Sequence, residues 1–369
     1  MEDKGERKKK GHPRNSVPGV QRPITSIELA KKLRLSTTTV SFVLNGLAEE
    51  KKIAAKTAQR VRQAAEKYNY IPNPFARSLH KKRSGVVGVI MGDFKLDFVE
   101  EAMTGMRRVF DVTGHVPFVA THSFDKERNR KELLSSLARR DEGIVAFPFS
   151  GGEEVYQRIV RSGVPLVLFS EVLPGLEEIS SAVWDSEAAV RAAMQHLVAI
   201  GRKRIAFVGT DYSGIGNRNR FKAYSQVVRD HDLPVRKEWV AMLSKKLDSG
   251  LIARSAVDQF FPAAKAEWPD AIFAINDALA LPVLQELEHR GIRVPDDVAV
   301  MGLQDLSISK HPAIGLSTVR EPVRKMGETA ARILIDLIEG RKKPPVRIRI
   351  PSCEVLIRRT TSAGEAVRR

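Results

Sequence analysis

Ser36–Gly46 reads STTTVSFVLNG: three threonines, poor helix formers, lead into Val40, Val43 and Leu44, whose spacing puts them on one face of a helix. Ser36 is a good N-cap and Asn45-Gly46 a stop, so a short helix is expected between them. Just upstream, TSIELAKKLRL (Thr25–Leu35) carries a capping-box signature, Thr25 with Glu28, and an apolar stripe of Ile27, Leu29, Ala30 and Leu33. Two short helices separated only by Arg34 and Leu35 form a helix-turn-helix. A third helix, from about Thr57 to Tyr68 with Val61, Ala64 and Ala65 turned inward, closes a core too small for two helices.

The hydroxyls follow from that geometry. Leu29, Leu33, Leu35, Val40 and Val43 hold the helices together, with Ala30 small enough for close approach, which leaves Thr37, Thr38, Ser41 and Phe42 facing outward. In a helix-turn-helix, the first turn of the second helix points toward the DNA major groove. A threonine hydroxyl bonds base edges or phosphate and its methyl meets the thymine methyl, while the helix propensity lost against alanine is only about 0.5 kcal/mol per residue. The candidate DNA-reading residues are therefore Thr37, Thr38, Ser41 and Phe42, with Ser36 and Thr39 as the flanking hydroxyls of the same turn.

Charge supports this reading. Residues 1–83 hold 20 Lys and Arg against 7 acids, a net +13, whereas the remaining 41 basic and 37 acidic side chains leave only +4. Such concentrated positive charge suits a polyanion, because each phosphate neutralised releases condensed counterions. No apolar run approaches the roughly 18 residues of a membrane span, and the start, MEDKGERKKKGHPRNSVPG, lacks the apolar core of a signal peptide, so a cytoplasmic address is expected. One cysteine, Cys353, excludes an intrachain disulfide and a thiolate zinc cluster, and the eight histidines show no paired ligand spacing. Neither a cofactor nor a metal is expected.

Residues 1–22, rich in Lys, Pro and Gly, read as a disordered basic tail, followed by an all-α headpiece over 23–71 and a linker over 72–84. From Gly85 onward, β-branched runs (GVVGVIM, GIVAFPF, VPLVLFS, RIAFVGT, AIFAIND, VAVMGLQD) alternate with amphipathic stretches, which predicts an α/β core of parallel strands and crossover helices. The strands end in Asp, Ser, Gly or Asn, placing polar groups where open α/β sheets bind ligands. Two lobes with a cleft are expected over 85–358: one from about 85–184 and 318–345, the other from about 185–317 and 346–358, with 359–369 as a tail.

TSIELAKKLRLSTTTVSFVLNG, then YNYIPNPFARSL, then the α/β remainder, together resemble the lactose-repressor/galactose-repressor family of bacterial transcriptional regulators, over about Ile24 to Arg359. The resemblance implies a two-lobed periplasmic-binding-protein-like core and a regulator, most simply a repressor, that acts as a homodimer on a pseudo-palindromic double-stranded DNA operator under the control of a small-molecule, carbohydrate-like effector. It places base-reading positions at Thr37, Thr38, Phe42 and Asn45. Phe42 departs from the family's polar or basic choice, which implies apolar contact with thymine methyls or packing on the backbone sugar. Arg34 stands where the family commonly has a turn glycine. The linker, with Asn73, Ala76, Arg77 and Leu79, is implied to order on DNA as a hinge helix, Leu79 wedging a base step in the minor groove. In the cleft, Arg220 and Asn276 with Asp277 match the family, Ser170 and Gln304 replace hydroxyl-binding aspartates, and Phe147 and Trp184 fall at lining positions.

Two other classes stay open on the residues alone. A solute-binding receptor would share the two-lobed core, although the headpiece argues against it. An enzyme would need a nucleophile-base pair, metal spacing or phosphate loop, and none rises above chance; Gly214-Ile215-Gly216 is only a fragment of a dinucleotide loop.

Overall fold

The computed structural model describes residues 24–70, 83–93, 97–149, 151–210, 215–244, 248–262, 264–351 and 353–362. The expected tail 1–22 and most of the linker, including Asn73, Ala76, Arg77 and Leu79, lie outside them. The described residues fall into two compact units, on either side of Ser84 and Gly85.

The first unit is all-helical: α1 Ser26–Leu33, α2 Thr37–Leu44 and α3 Ala55–Lys67. Thr25 and Glu28 close the capping box, Thr25 Oγ1 accepting from the Glu28 amide and Glu28 Oε2 accepting from the Thr25 amide. Leu29, Ala30, Val40, Val43, Ala58, Val61 and Ala64 form the buried core, with Leu33 and Leu35 packed against it. Ile27 is not part of that core. It is 57% exposed, because two residues along a helix turn the chain by about 200° and place it opposite Leu29.

Arg34 ends α1 at φ 51 and ψ 44, a left-handed conformation that suits glycine. Glycine there should stabilise the headpiece by up to about 1 kcal/mol. Native-state hydrogen exchange of the buried Leu29 and Val40 amides is expected to slow by up to about fivefold in Arg34→Gly; faster exchange would show that Arg34 makes a contact worth more than the strain.

The second unit begins with β1 Val86–Met91, α4 Asp97–Thr113, β2 Val116–Thr121, α5 Lys126–Arg139, β3 Ile144–Ala146, α6 Glu153–Arg161, β4 Leu166–Ser170 and β5 Ser180–Trp184. It continues with α7 Ser186–Ala199, β6 Ile205–Thr210, α8 Ile215–Asp230, β7 Val240–Leu243, α9 Ser249–Phe260, β8 Ala271–Ala274, α10 Asp277–His289 and β9 Ala299–Met301. The chain closes with β10 Thr318–Val319, α11 Val323–Ile338, β11 Arg347–Ile350 and β12 Val355–Leu356. One sheet has the order β11-β5-β4-β3-β1-β2, the other β7-β6-β8-β9, and every pair in both is parallel. These are the two lobes. Their central strands, such as β3 and β8, are buried along their whole length, as strands covered by helices on both faces must be.

The lobe limits differ from those read off the sequence. Arg347–Ile350 pairs in register with Ser181–Trp184, so the start of the segment 346–358 belongs to the first lobe; an alternating basic strand suits a sheet edge, where one face meets water. Thr318–Val319, expected in the first lobe, instead pairs antiparallel with β12 and lies next to β9 through the Met301–Ser317 bridge. Within 318–345, α11 is the element that returns to the first lobe. It packs on α4 at Gly105 and Gly327, where the two backbones touch. The last described residues are not a loose tail: Thr360 and Thr361 are buried, and the Val300 amide donates to the Thr360 carbonyl at 2.9 Å.

Candidate DNA-reading helix and interlobe ligand site

The hydroxyls of α2 divide into two groups. Ser36 caps the helix, its Oγ accepting from the Thr39 amide at 3.0 Å and lying 2.8 Å from Thr39 Oγ1. Ser41 and Asn45 are tied at the other end, Asn45 Nδ2 donating to the Ser41 carbonyl at 2.8 Å and to its Oγ at 3.2 Å. Thr37 and Thr38 stand exposed on the first turn. Phe42 is half-buried and outside the headpiece core, with Lys51 Nζ 5.7 Å from its ring centre. The headpiece surface is basic, with Lys31, Lys32, Arg34, Lys51, Lys52, Lys56, Arg60 and Arg62 among its exposed side chains.

The second candidate site lies at the carboxyl ends of the strands. Phe147 follows β3 and belongs to an aromatic wall with Phe98 (ring centres 5.8 Å apart) and His122 (6.2 Å). His122 Nδ1 accepts from the Phe124 amide at 3.1 Å and Nε2 lies 3.3 Å from the Phe147 carbonyl, so the ring is held neutral with its proton on Nε2, and burial lowers its pKa in the same sense. Ser170 ends β4 at φ 72 and delivers Glu171. Trp184 ends β5, and the Arg220 guanidinium, from α8 of the other lobe, stands 5.8 Å from its ring centre.

Arg220 also donates from Nη1 to the Ile275 carbonyl at 3.3 Å. The next residue, Asn276, is the N-cap of α10: its Oδ1 accepts from the Leu279 amide at 2.9 Å, leaving its NH2 as the group it can offer a ligand. Gln304 and Asp305 take φ 118 and φ 64 in succession, strain of about 1–3 kcal/mol each. The buried Asp305 carboxylate is held by Arg358 at 2.6 Å and Arg320 at 3.0 Å, ion pairs that offset the strain, while Gln304 is turned toward Glu321, its Nε2 donating to Oε2 at 2.9 Å. Asp277 serves the fold. It is fully buried and accepts from Ser309 Oγ (2.7 Å), Thr318 Oγ1 (2.7 Å) and the Leu306 amide (3.0 Å).

Two residues that the sequence reading passed over complete the cluster. Glu171 and Glu321 both sit beside Arg220, and burial raises the pKa of each while the guanidinium pulls it back. Gln304 and Glu321 also line a cavity of about 490 Å³, with Asp97, Phe98 and Arg324 on its other walls. That size suits a small organic ligand; the lining is largely charged, with Phe98 its one aromatic side chain. No periodicity or spacing marks Glu171 or Glu321, because each becomes a site residue only through the sheet topology.

Comparison with known proteins gives matches at both ends of the chain. Residues 28–73 match the model for bacterial regulatory proteins of the lacI family, and residues 194–361 match that for the periplasmic binding protein-like domain. The HTH-type transcriptional regulator DegA of Bacillus subtilis (strain 168) is 27% identical over 350 residues, covering 92% of this chain and 98% of that protein. Catabolite control protein A of Priestia megaterium is 28% identical over 312 residues, covering 84% and 91%. Among solved structures, the lac repressor dimer bound to operator and the anti-inducer ONPF superposes with a TM-score of 0.79 at 24% identity, covering 93% of this chain and all of that one.

Proposed function

The chain belongs to the lacI family of bacterial regulatory proteins, joining that family's DNA-binding domain to a periplasmic-binding-protein-like domain, and we propose from this that it represses transcription in the bacterial cytoplasm. It acts as a homodimer on a pseudo-palindromic operator, and a carbohydrate-like molecule bound between the lobes sets its operator affinity. The observation that carries the reading is the exposed Thr37-Thr38 pair on a capped helix within a segment of net charge +13. Ser36, Thr39, Ser41 and Asn45 fix the helix ends, and Thr37, Thr38 and Phe42 meet base edges. The hinge role of Asn73, Ala76, Arg77 and Leu79 is part of the same proposal.

Effector and operator are coupled because both bias the same arrangement of the two lobes, so each changes the affinity of the other by the same factor. Phe147 and Trp184 supply flat apolar surface, while Arg220, Asn276 and Gln304 supply donors for hydroxyls; Ser170 adds a short hydroxyl at the strand end.

Selection of duplexes bound by the full chain, then fluorescence anisotropy on the winner, tests the reading. Enrichment of a sequence with two half-sites about one helical turn apart is expected. Thr38→Ala should weaken the selected duplex by about 1 kcal/mol, roughly fivefold, while leaving random duplex almost unchanged. Failure to enrich any sequence would remove the proposal, and equal losses on both duplexes would move Thr38 from base to phosphate contact.

A further inference from the structure

The chain enters the core through one tightly held residue. Gly85, at φ 67, opens the second unit: its carbonyl accepts from the Val116 amide at 2.8 Å, and its own amide donates to Glu142 Oε1 at 2.6 Å. The carbonyl bond extends the sheet, since Val116 starts β2. The amide bond does not, because Glu142 reaches Gly85 as a side chain from the loop between α5 and β3. That loop is itself fixed against β1, the Glu142 amide donating to the Val86 carbonyl at 2.8 Å.

The other oxygen of the same carboxylate faces a histidine. Glu142 Oε2 lies 3.7 Å from His115 Nε2, and both side chains are only 9% exposed. His115 Nδ1 lies 3.0 Å from Thr113 Oγ1, whose hydroxyl hydrogen goes to the Val109 carbonyl at 2.9 Å. The Thr113 oxygen therefore accepts from Nδ1–H, and in the neutral ring Nε2 turns a lone pair toward the carboxylate. A second proton on the ring converts this contact into an ion pair. The other charged side chains on the segments that meet here are Arg83, Arg107, Asp111, Arg139, Arg140 and Asp141. Asp141 pairs with Arg139 at 2.6 Å and Asp111 lies 3.8 Å from Arg107, and of all these residue types histidine is the one that changes charge near neutral pH.

We propose that Glu142 and His115 are positioning residues for DNA binding, a proton-strengthened latch that fixes the root of the linker to the core. This rests on the reading of the chain as an operator-binding regulator. Gly85 is the residue from which the linker leaves. When its amide is held, the segment leading to the headpiece has less freedom to lose on meeting a duplex, and that ordering entropy is a cost of binding. With His115 protonated, both carboxylate oxygens are engaged and the grip tightens; with it neutral, the lone pair opposes Oε2 and the grip loosens. Protons and specific DNA then favour the same state, so by linkage affinity rises as pH falls.

Two measurements on the full-length chain test this. Hydrogen exchange of the peptide carrying Gly85, corrected for the intrinsic pH dependence of exchange, should show more protection at about pH 6 than at about pH 8. Glu142→Gln keeps an acceptor for the Gly85 amide but cannot form the ion pair, so its protection should stay at the pH 8 level throughout. Fluorescence anisotropy with the selected duplex, at fixed ionic strength, should show the wild type gaining on Glu142→Gln between these pH values. The expected gain is about threefold per protomer and about tenfold for the dimer, with no difference on random duplex. Taking the ratio to the variant cancels the contribution of the other histidines. Wild-type protection that ignores pH, or an equal acid gain in Glu142→Gln, would overturn the proposal, and the wild-type exchange comparison stands even if the variant does not fold. A pH-dependent latch without the duplex effect would sink its role in DNA binding alone, whereas failure to select any duplex would remove the regulatory reading and leave hydrogen exchange to decide the latch.

Discussion

Raising salt from 50 to 200 mM is expected to weaken duplex binding by roughly a thousandfold or more, with log affinity falling linearly against log salt. The expectation follows from where the charge sits. The described headpiece exposes nine cations on and around α1 to α3 while most of its apolar residues are buried, so the surface offered to a duplex is rich in ammonium and guanidinium. A dimer making about six phosphate contacts loses affinity on this scale, and Lys31→Ala, which removes one contact from each protomer, should make the slope shallower by about two units. A flat response would mean that the +13 segment does not meet phosphate, and the assignment of the amino-terminal unit would fail with it.

The second large effect concerns stability. Gly327→Val is expected to destabilise the core by about 3 kcal/mol or more, lowering its melting temperature by on the order of 10 °C. Glycine inside a helix is ordinarily a liability of about 1 kcal/mol against alanine, so a substitution could have been stabilising. Packing decides otherwise: a Cβ at Gly327 would be built into the Ala102 carbonyl, and one at Gly105 into the Arg324 carbonyl. The obstacle on both sides is backbone, which cannot rotate out of the way as a side-chain end can. Calorimetry of the full chain should show the core transition moving; a shift within about 2 °C would show that α4 and α11 separate freely.

The two helices that meet there are more than 200 residues apart in sequence, and their glycines carried no local signal. The same division runs through the whole chain. Strands read from apolar runs were mostly central ones, GVVGVIM becoming β1, GIVAFPF β3, VPLVLFS β4, RIAFVGT β6 and AIFAIND β8, while VAVMGLQD became β9, an edge strand that is nonetheless fully buried. Strands absent from that reading include β2, β7 and β11, the edges of their sheets, where one side faces water and the pattern is broken by Arg347 and Arg349 or by the exposed Val116 and Phe118. β5 opens with Ser180 and Ser181, which are buried because the Val346 amide donates to Ser180 Oγ at 2.9 Å, a bond made by a segment far along the chain.

The headpiece was legible because its information is local. Capping boxes, N-caps and the spacing of apolar residues act within one or two turns, so Thr25, Glu28, Ser36, Val40 and Val43 specify their own helices. The strand-ending polar residues were legible as a class, but not in their roles. Asn276 spends its oxygen capping a helix and Asp277 is locked inside the fold, while Glu171 and Glu321, which no local pattern distinguishes, face Arg220.

By itself, the sequence determined that a basic helix-turn-helix precedes an α/β core of parallel strands, since periodicity, caps and charge are properties of neighbours along the chain. Only the tertiary structure decided which lobe takes the last strands, where α4 and α11 touch, and that Glu171 and Glu321 lie near Arg220. Those are contacts between residues tens to hundreds of positions apart, and their energies depend on burial and distance that arise only once the sheets have formed.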